Sequence, residues 1–321
     1  MPPLSASPTL LRRWLLDRPY LLLVLTTLMW GGNAVASRMA VGEISPMVIT
    51  WLRWTIACAT LAIIAHRQIV ADWRAVSPRW LYVILMGVIG FTAFNSLFYV
   101  AGHYTTAVNL AILQGSMPAM VLLGAFVAHG TRITSLQAVG LVITLLGIAS
   151  IASGGDIHRL RQLTLNFGDV LMLIASIFYA GYTVAMRDRP KASPMGLFSY
   201  IAAAACFSAV PLMLWEIHAG QAVWPHTPKG WGVLFFIALC PSLTAQVLYI
   251  RAIEIVGPGR AGMFTNLVPV FGALLGVIIL NESFGLHHAL ALVLVIAGIL
   301  LAEYRRSPAR AKADEEEAKP A

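Results

Sequence analysis

The chain has 321 residues, 59% of them hydrophobic and 11% charged, against about 25% charged in an ordinary soluble domain. A water-soluble fold of this size would have too few charges to cover its surface. The formal charge of +8 does not mark a nucleic-acid binder, because the basic residues lie in short segments between apolar runs and not along one face. The composition is that of a polytopic membrane protein whose partner is the lipid bilayer.

Arg12, Arg13 and Arg18 precede a first apolar run from Tyr20 to Ala36. The outline is that of a signal peptide, but the run leads into a second one with no cleavage site, which predicts a retained first helix. Counting runs of about 20 apolar residues gives ten spans, at 19–40, 46–66, 79–101, 104–128, 133–153, 167–187, 193–216, 231–256, 260–281 and 285–304. Pro46, Pro78, Pro194, Gly257-Pro258-Gly259 and Gly285 punctuate the joints. The fold class is therefore all-α integral membrane, with loops too short for a soluble domain. Residues 1–18 form an N-terminal segment, 154–166 a linker, and the charged tail 305–321 is too polar to bury a core.

The second span carries Arg53 between Met47 and Ala65. A guanidinium in hydrocarbon costs roughly 2.5–3.5 kcal/mol, and it cannot escape by losing its proton. Two readings stand open: an arginine bonded to backbone carbonyls or snorkelling to an interface, or one facing a solute pathway. Cys58, Cys206 and Cys240 lie in apolar runs, without the spacing of a disulfide framework or a zinc site.

Lysines and arginines set the orientation. With both termini inside, the inner segments hold Arg12, Arg13, Arg18, Arg67, Arg74, Arg79, Arg132, Arg187, Arg189, Lys191, Arg260, Arg305, Arg306, Arg310, Lys312 and Lys319. The outer segments hold only Arg38, Arg159, Arg161 and Lys229, and Arg53 and Arg251 lie within spans. This asymmetry predicts cytoplasmic termini in a cell (inner or plasma) membrane.

The two halves also match. Phe98-Tyr99 and Pro118 pair with Leu248-Tyr249 and Pro269, Gly147 pairs with Gly298, and Ser45-Pro46 pairs with Ser193-Pro194. Trp30-Gly-Gly-Asn33 with Arg38 aligns with Tyr179-Ala-Gly-Tyr182 with Arg187. The expected units are a first five-helix repeat at 19–153 and a second at 167–304. An odd number of spans per half makes the repeat inverted, an architecture that places a solute site near the midplane between the halves.

At these residues the chain resembles the EamA-type transporters of the drug/metabolite transporter superfamily. The marks are Trp30-Gly31-Gly32-Asn33, Arg53, Asn266-Leu-Val-Pro269-Val, Asn281-Glu282-Ser and Gly298, and the likeness covers residues 19–304. One departure stands out: where the second half has Glu282, the first half reads Gly130-Thr131-Arg132. The resemblance implies export or exchange of small metabolites such as amino acids by alternating access.

The residues expected to meet a small-molecule solute are Trp30, Asn33, Arg53, Asn95, Tyr99, Gln114, Tyr179, Tyr182, Gln246, Tyr249 and Asn266. Asn109, Ser116, Trp51 and Trp54 form a wider set. An amide without a partner is costly in lipid, so each turns inward, where an ordinary interhelical hydrogen bond is the competing role. Aromatic walls with a few amides suit a mixed apolar and polar ligand, and Arg53 would neutralise a carboxylate. The small-residue runs at Ala273 to Gly276 and Gly140 to Gly147 read as close helix packing.

Every histidine falls in a loop or at a span end, and no acidic residue lies at mid-depth; Glu254 and Glu282 sit near opposite ends of their spans. The intramembrane relay of a proton-coupled carrier is missing, which favours a facilitator or exchanger. No enzyme motif, cofactor site or ATP-binding loop appears. Nucleotide-sugar or phosphorylated-metabolite exchange would require more inward cations, and cationic multidrug efflux would require an acid or an aromatic cage; both remain alternatives. The protein would act as a monomer or a homodimer.

Overall fold

The computed structural model describes residues 17–156 and 166–303. Arg12 and Arg13, Arg159 and Arg161 of the linker, and the tail expectation for 305–321 fall outside the described residues. The described chain folds into fifteen α-helices: α1 Pro19–Met39, α2 Pro46–Ile64, α3 His66–Val76, α4 Trp80–Met86, α5 Phe94–Ala101, α6 Ala107–Gln114, α7 Met117–His129, α8 Ser135–Ala152, α9 Phe167–Ala185, α10 Pro194–His218, α11 Pro228–Leu239, α12 Ala245–Val256, α13 Pro258–Phe264, α14 Val268–Leu280 and α15 Leu286–Glu303.

Eight helical stretches are long and apolar enough to cross a membrane: Pro19–Met39, Pro46–Ile64, His66–Ala101, Ala107–His129, Phe167–Asp188, Pro194–His218, Pro228–Val256 and Arg260–Leu280. The fifth and tenth expected spans are shorter apolar stretches, Ser135–Ile151 and Leu286–Ala302. The expectation for 79–101 needs one correction. Helix continues back to His66: α3 sets Arg67 and Arg74 on one face and Ile69 and Trp73 toward the opposite one, so it is amphipathic and contains no unbroken apolar run.

Local chemistry sets the boundaries. Pro19, Pro46, Pro194 and Pro228 each occupy a first turn, where the missing N–H costs nothing. Thr106, Thr134, Asn166, Ser193 and Thr227 cap helix starts with a side-chain oxygen. Gly130 (φ 64°) and Asn281 (φ 53°) end α7 and α14 in the left-handed conformation.

Two spans are broken at the same depth. Pro118 and Pro269 have no N–H to give to the carbonyls of Gln114 and Thr265. The helices there tighten at Gly115–Ser116 and into a 3₁₀ turn at Thr265–Leu267. Two other spans contain a π-helical segment, Gly87–Ala93 and Cys240–Thr244, the second around Pro241. All four irregularities lie beside the central cavity.

Charged side chains tie one end of the bundle together. Glu216, at the end of α10, accepts from the N–H groups of Met47 and Val48 (3.2 and 3.1 Å) and from the Ser45 hydroxyl. Glu282 accepts from Ala107 N–H and Val108 N–H, both at 2.9 Å. Asp169, 1% exposed, accepts from Thr105 and Asn109. Carboxylates suit helix N-termini because the exposed N–H groups and the helix dipole favour negative charge there. In the adjoining loop, the Thr227 hydroxyl and then Lys229 hold the Glu43 carboxyl below its usual range. At the opposite end, Asp72 accepts from the Ser193 N–H at 3.0 Å and from its hydroxyl. The start of α2 is thus held by an acid of the second half, and the start of α10 by an acid of the first.

Candidate functional site

A cavity of about 560 Å³ lies between the helices, within the size range of small-molecule sites. Its wall includes Trp30, Asn33, Arg53, Asn95, Gln114, Tyr179, Tyr182, Gln246, Tyr249 and Asn266. Ten of the eleven residues singled out from sequence therefore share one cavity. Tyr99 does not line it; 2% exposed, it stands behind Arg53. Of the wider set, Trp54 lines the cavity, while Asn109 is bonded to Asp169, Ser116 donates to Leu113 O at 2.6 Å, and Trp51 packs on Trp224.

Arg53, 4% exposed, is held from two elements, the π segment Cys240–Thr244 and α5. Its Nε and Nη2 donate to Ser242 Oγ at 2.9 and 2.6 Å, and Nη1 donates to Asn95 Oδ1 and to the Tyr99 hydroxyl. Tyr99 in turn donates to Asn33 Oδ1 at 3.2 Å. The guanidinium carbon stands 5.1 Å from the Trp54 ring and 5.5 Å from the Tyr99 ring. All these partners are neutral. No ion pair among the described residues involves Arg53, and it is the one charged residue among the described residues that line the cavity. Among the described residues, side chains and not backbone carbonyls hold Arg53, which bridges helices and also lines the cavity with its charge uncancelled.

Ser242 was missed in the sequence. It sits in the π segment Cys240–Thr244, donates back to Ile237 O at 2.5 Å and so presents its lone pairs to Arg53. The only available signal was Pro241, whose missing N–H leaves the Ile237 carbonyl to accept from Ser242; the Pro241 carbonyl accepts from Trp30 Nε1 at 3.1 Å.

Aromatic rings form the two flanks. On one, Trp54 stacks on Phe91 (4.5 Å, 3°), Phe91 meets Tyr182 at 5.4 Å, and Tyr182 meets Tyr179 at 5.6 Å. On the other, Trp30 meets Tyr249 at 5.1 Å. The lining also reaches Ala125, Gln137, Met186, Ile253 and Ala302, which lie toward the end where Arg79 donates to Asp188 O. The end held by Glu216, Glu282 and Asp169 contributes no lining residue. Among the described residues, the lining thus extends toward the arginine-rich end and not toward the other.

The model of the EamA-like transporter family matches twice, at residues 17–153 and 166–304. The chain belongs to the EamA-like transporter family. Its relatives include the uncharacterized transporter YyaM of Bacillus subtilis, 25% identical over 88% of this chain and 92% of the relative. An uncharacterized transporter of Archaeoglobus fulgidus is 26% identical over 89% of this chain and 97% of its own. The uncharacterized inner membrane transporter YedA of Escherichia coli is 25% identical over 85% and 87%. One crystal structure, 18% identical, superposes with a TM-score of 0.62 over 92% of this chain and 98% of that one, which shows a shared fold. This EamA family member is thus a multi-pass membrane transporter. Glu254, the acid whose depth bore on proton coupling, is half exposed and paired with Arg251 at 3.2 Å, away from the cavity wall.

Proposed function

We propose that this EamA family member is an alternating-access exchanger or exporter of small zwitterions or organic anions, with amino acids and related metabolites as the preferred class. One observation carries the reading: Arg53 faces the cavity with only neutral partners, so a carboxylate entering there gains a charge-assisted bond and no protein acid competes for it. The aromatic flanks supply contact for an apolar portion. Among the described residues no acid or histidine lines the cavity, which supports exchange or facilitation without a proton relay.

Ten spans in two inverted five-helix repeats, 19–153 and 167–304, with both termini cytoplasmic, complete the proposal. The double family match, the two shorter apolar helices and the exchanged capping of α2 and α10 support the repeat. The lysine and arginine distribution supports the orientation. Reporter fusions are expected to place the 67–79 and 187–193 segments inside and the 154–166 segment outside; a C-terminus outside would sink the orientation.

The deciding measurement is a thermal-shift screen of purified protein against amino acids, organic acids, nucleosides and cationic dyes, since a ligand of the folded state raises its stability. Amino acids or organic acids are expected to stabilise, and the hits to support counterflow in proteoliposomes without a pH gradient. Stabilisation by cationic dyes alone would overturn the proposed class.

A further inference from the structure

The two ends of the bundle are not equivalent, and the difference lies at one pair of matched positions. Gly130 matches Asn281 as Pro118 matches Pro269 and Gly147 matches Gly298, and both Gly130 and Asn281 end their helices at positive φ. The residue after each is Thr131 in the first half and Glu282 in the second. Glu282 closes on the start of α6 through the N–H groups of Ala107 and Val108, with Arg38 Nε 4.0 Å away. The matched helix start in the second half has Pro258 and Gly259 in place of Ala107 and Val108. There the charged acceptor is absent, because threonine offers only a neutral hydroxyl, and one donor is absent too, because proline has no N–H. Arg132 follows at once, and a cation is unfavourable near a helix N-terminus.

We propose that Glu282 is the latch that shuts the outer end during transport, and that the missing counterpart at Thr131 biases the protein toward the state open to the cytoplasm. The inference rests on the inverted-repeat reading and its orientation given above. In an inverted repeat, the contacts that close one end are re-formed in the other state by the matched elements at the opposite end. Here the outer closure gains two charge-assisted bonds that the inner closure cannot make. The structure agrees with that imbalance: among the described residues, the cavity lining extends toward the end without the latch and includes none of the latch residues. A bias of this kind does not set the direction of net flux. It makes the apparent affinity for solute higher from the cytoplasmic side than from outside, because the inward-open state is populated before solute arrives. That sidedness is the behaviour of a carrier that loads from within.

The test needs no solute. In a background with Cys58, Cys206 and Cys240 changed to serine, single reporters are introduced as Ala125→Cys on the open side of the cavity and Ser37→Cys, 1% exposed, at the latched end. Labelling by an impermeant maleimide is measured in intact cells and in inverted vesicles. The starting protein is expected to label at Ala125→Cys in inverted vesicles and not at Ser37→Cys in cells. Glu282→Gln is expected to raise Ser37→Cys labelling roughly tenfold, the equivalent of one hydrogen bond to a charged group, and Glu282→Asp to restore most of the closure. Thr131→Glu combined with Pro258→Ala supplies the missing acceptor and donor and is expected to slow Ala125→Cys labelling by a similar factor. Folded variants with unchanged labelling at both reporters overturn the latch. Should Glu282→Gln not fold, the Thr131 and Pro258 pair decides alone. Ala125→Cys labelling confined to intact cells would instead refute the orientation, a separate failure.

Discussion

Arg53→Ala is expected to lower solute binding and transport by roughly a hundredfold, about 2–3 kcal/mol, while folded protein still reaches the membrane. Truncating one member of a buried charged pair costs about that much, and here the other member would be the carboxylate of the solute. The fold should tolerate the change because Ser242, Asn95 and Tyr99 keep neutral partners: Ser242 retains Ile237 O, Asn95 retains Phe91 O, and Tyr99 retains Asn33. No buried carboxylate is orphaned. Arg53→Lys should recover only part of the activity, since a single ammonium cannot reach Ser242 on one side and Asn95 with Tyr99 on the other as the guanidinium fork does. Binding by thermal shift and transport per folded molecule separate the two effects. Unchanged binding with collapsed thermal stability would make Arg53 a purely structural residue.

Gly140→Val is expected to remove most folded protein, at a cost of about 3 kcal/mol or more, the upper end of overpacking. α8 and α15 approach so closely that a Cβ at Gly140 would stand 2.8 Å from Ala302 N and nearer still to the Gly298 carbonyl. These are backbone atoms and cannot rotate away. Gly147 faces Ala291 O at 3.0 Å on the same seam. Without a hydrophobic driving force between helices in lipid, such close contact is a large part of what holds the pair. Gly181→Ala, where nothing lies within 4 Å of the added carbon, serves as the control and should change stability by under about 0.5 kcal/mol. Detergent thermal denaturation and membrane yield of the two variants make the comparison. Equal behaviour would show that the α8–α15 seam is adaptable.

Much of this was legible along the chain. A run of 20 apolar residues has few fates, so the expected runs coincide to within about three residues with apolar helices, eight of them long enough to cross a membrane and two shorter, except at α3, whose two-faced composition disguises a helix as a loop. The cavity wall was legible for a related reason: an amide or guanidinium in an apolar run must turn away from lipid, and the cavity between the helices receives it. Small hydroxyls escape this logic. Ser242 can satisfy itself on its own helix, so nothing in the sequence marks it as a partner for Arg53. The end-capping acids were underread too. Glu216 and Asp169 look like ordinary residues at span ends, and their buried roles come from groups far away in the chain: Ser45 and Met47 lie 171 and 169 residues from Glu216, and Thr105 lies 64 residues from Asp169.

What the sequence determined by itself was which residues must avoid lipid, because that is decided by the transfer free energy of each side chain taken alone. Which residues then meet was decided only by tertiary structure. Arg53 finds Asn95 and Tyr99 at separations of 42 and 46 residues and Ser242 at 189, across helices whose rotation and depth are set by glycine contacts and by proline-broken turns. Those geometries depend on the packing of all the helices together, and no local stretch of the chain encodes them.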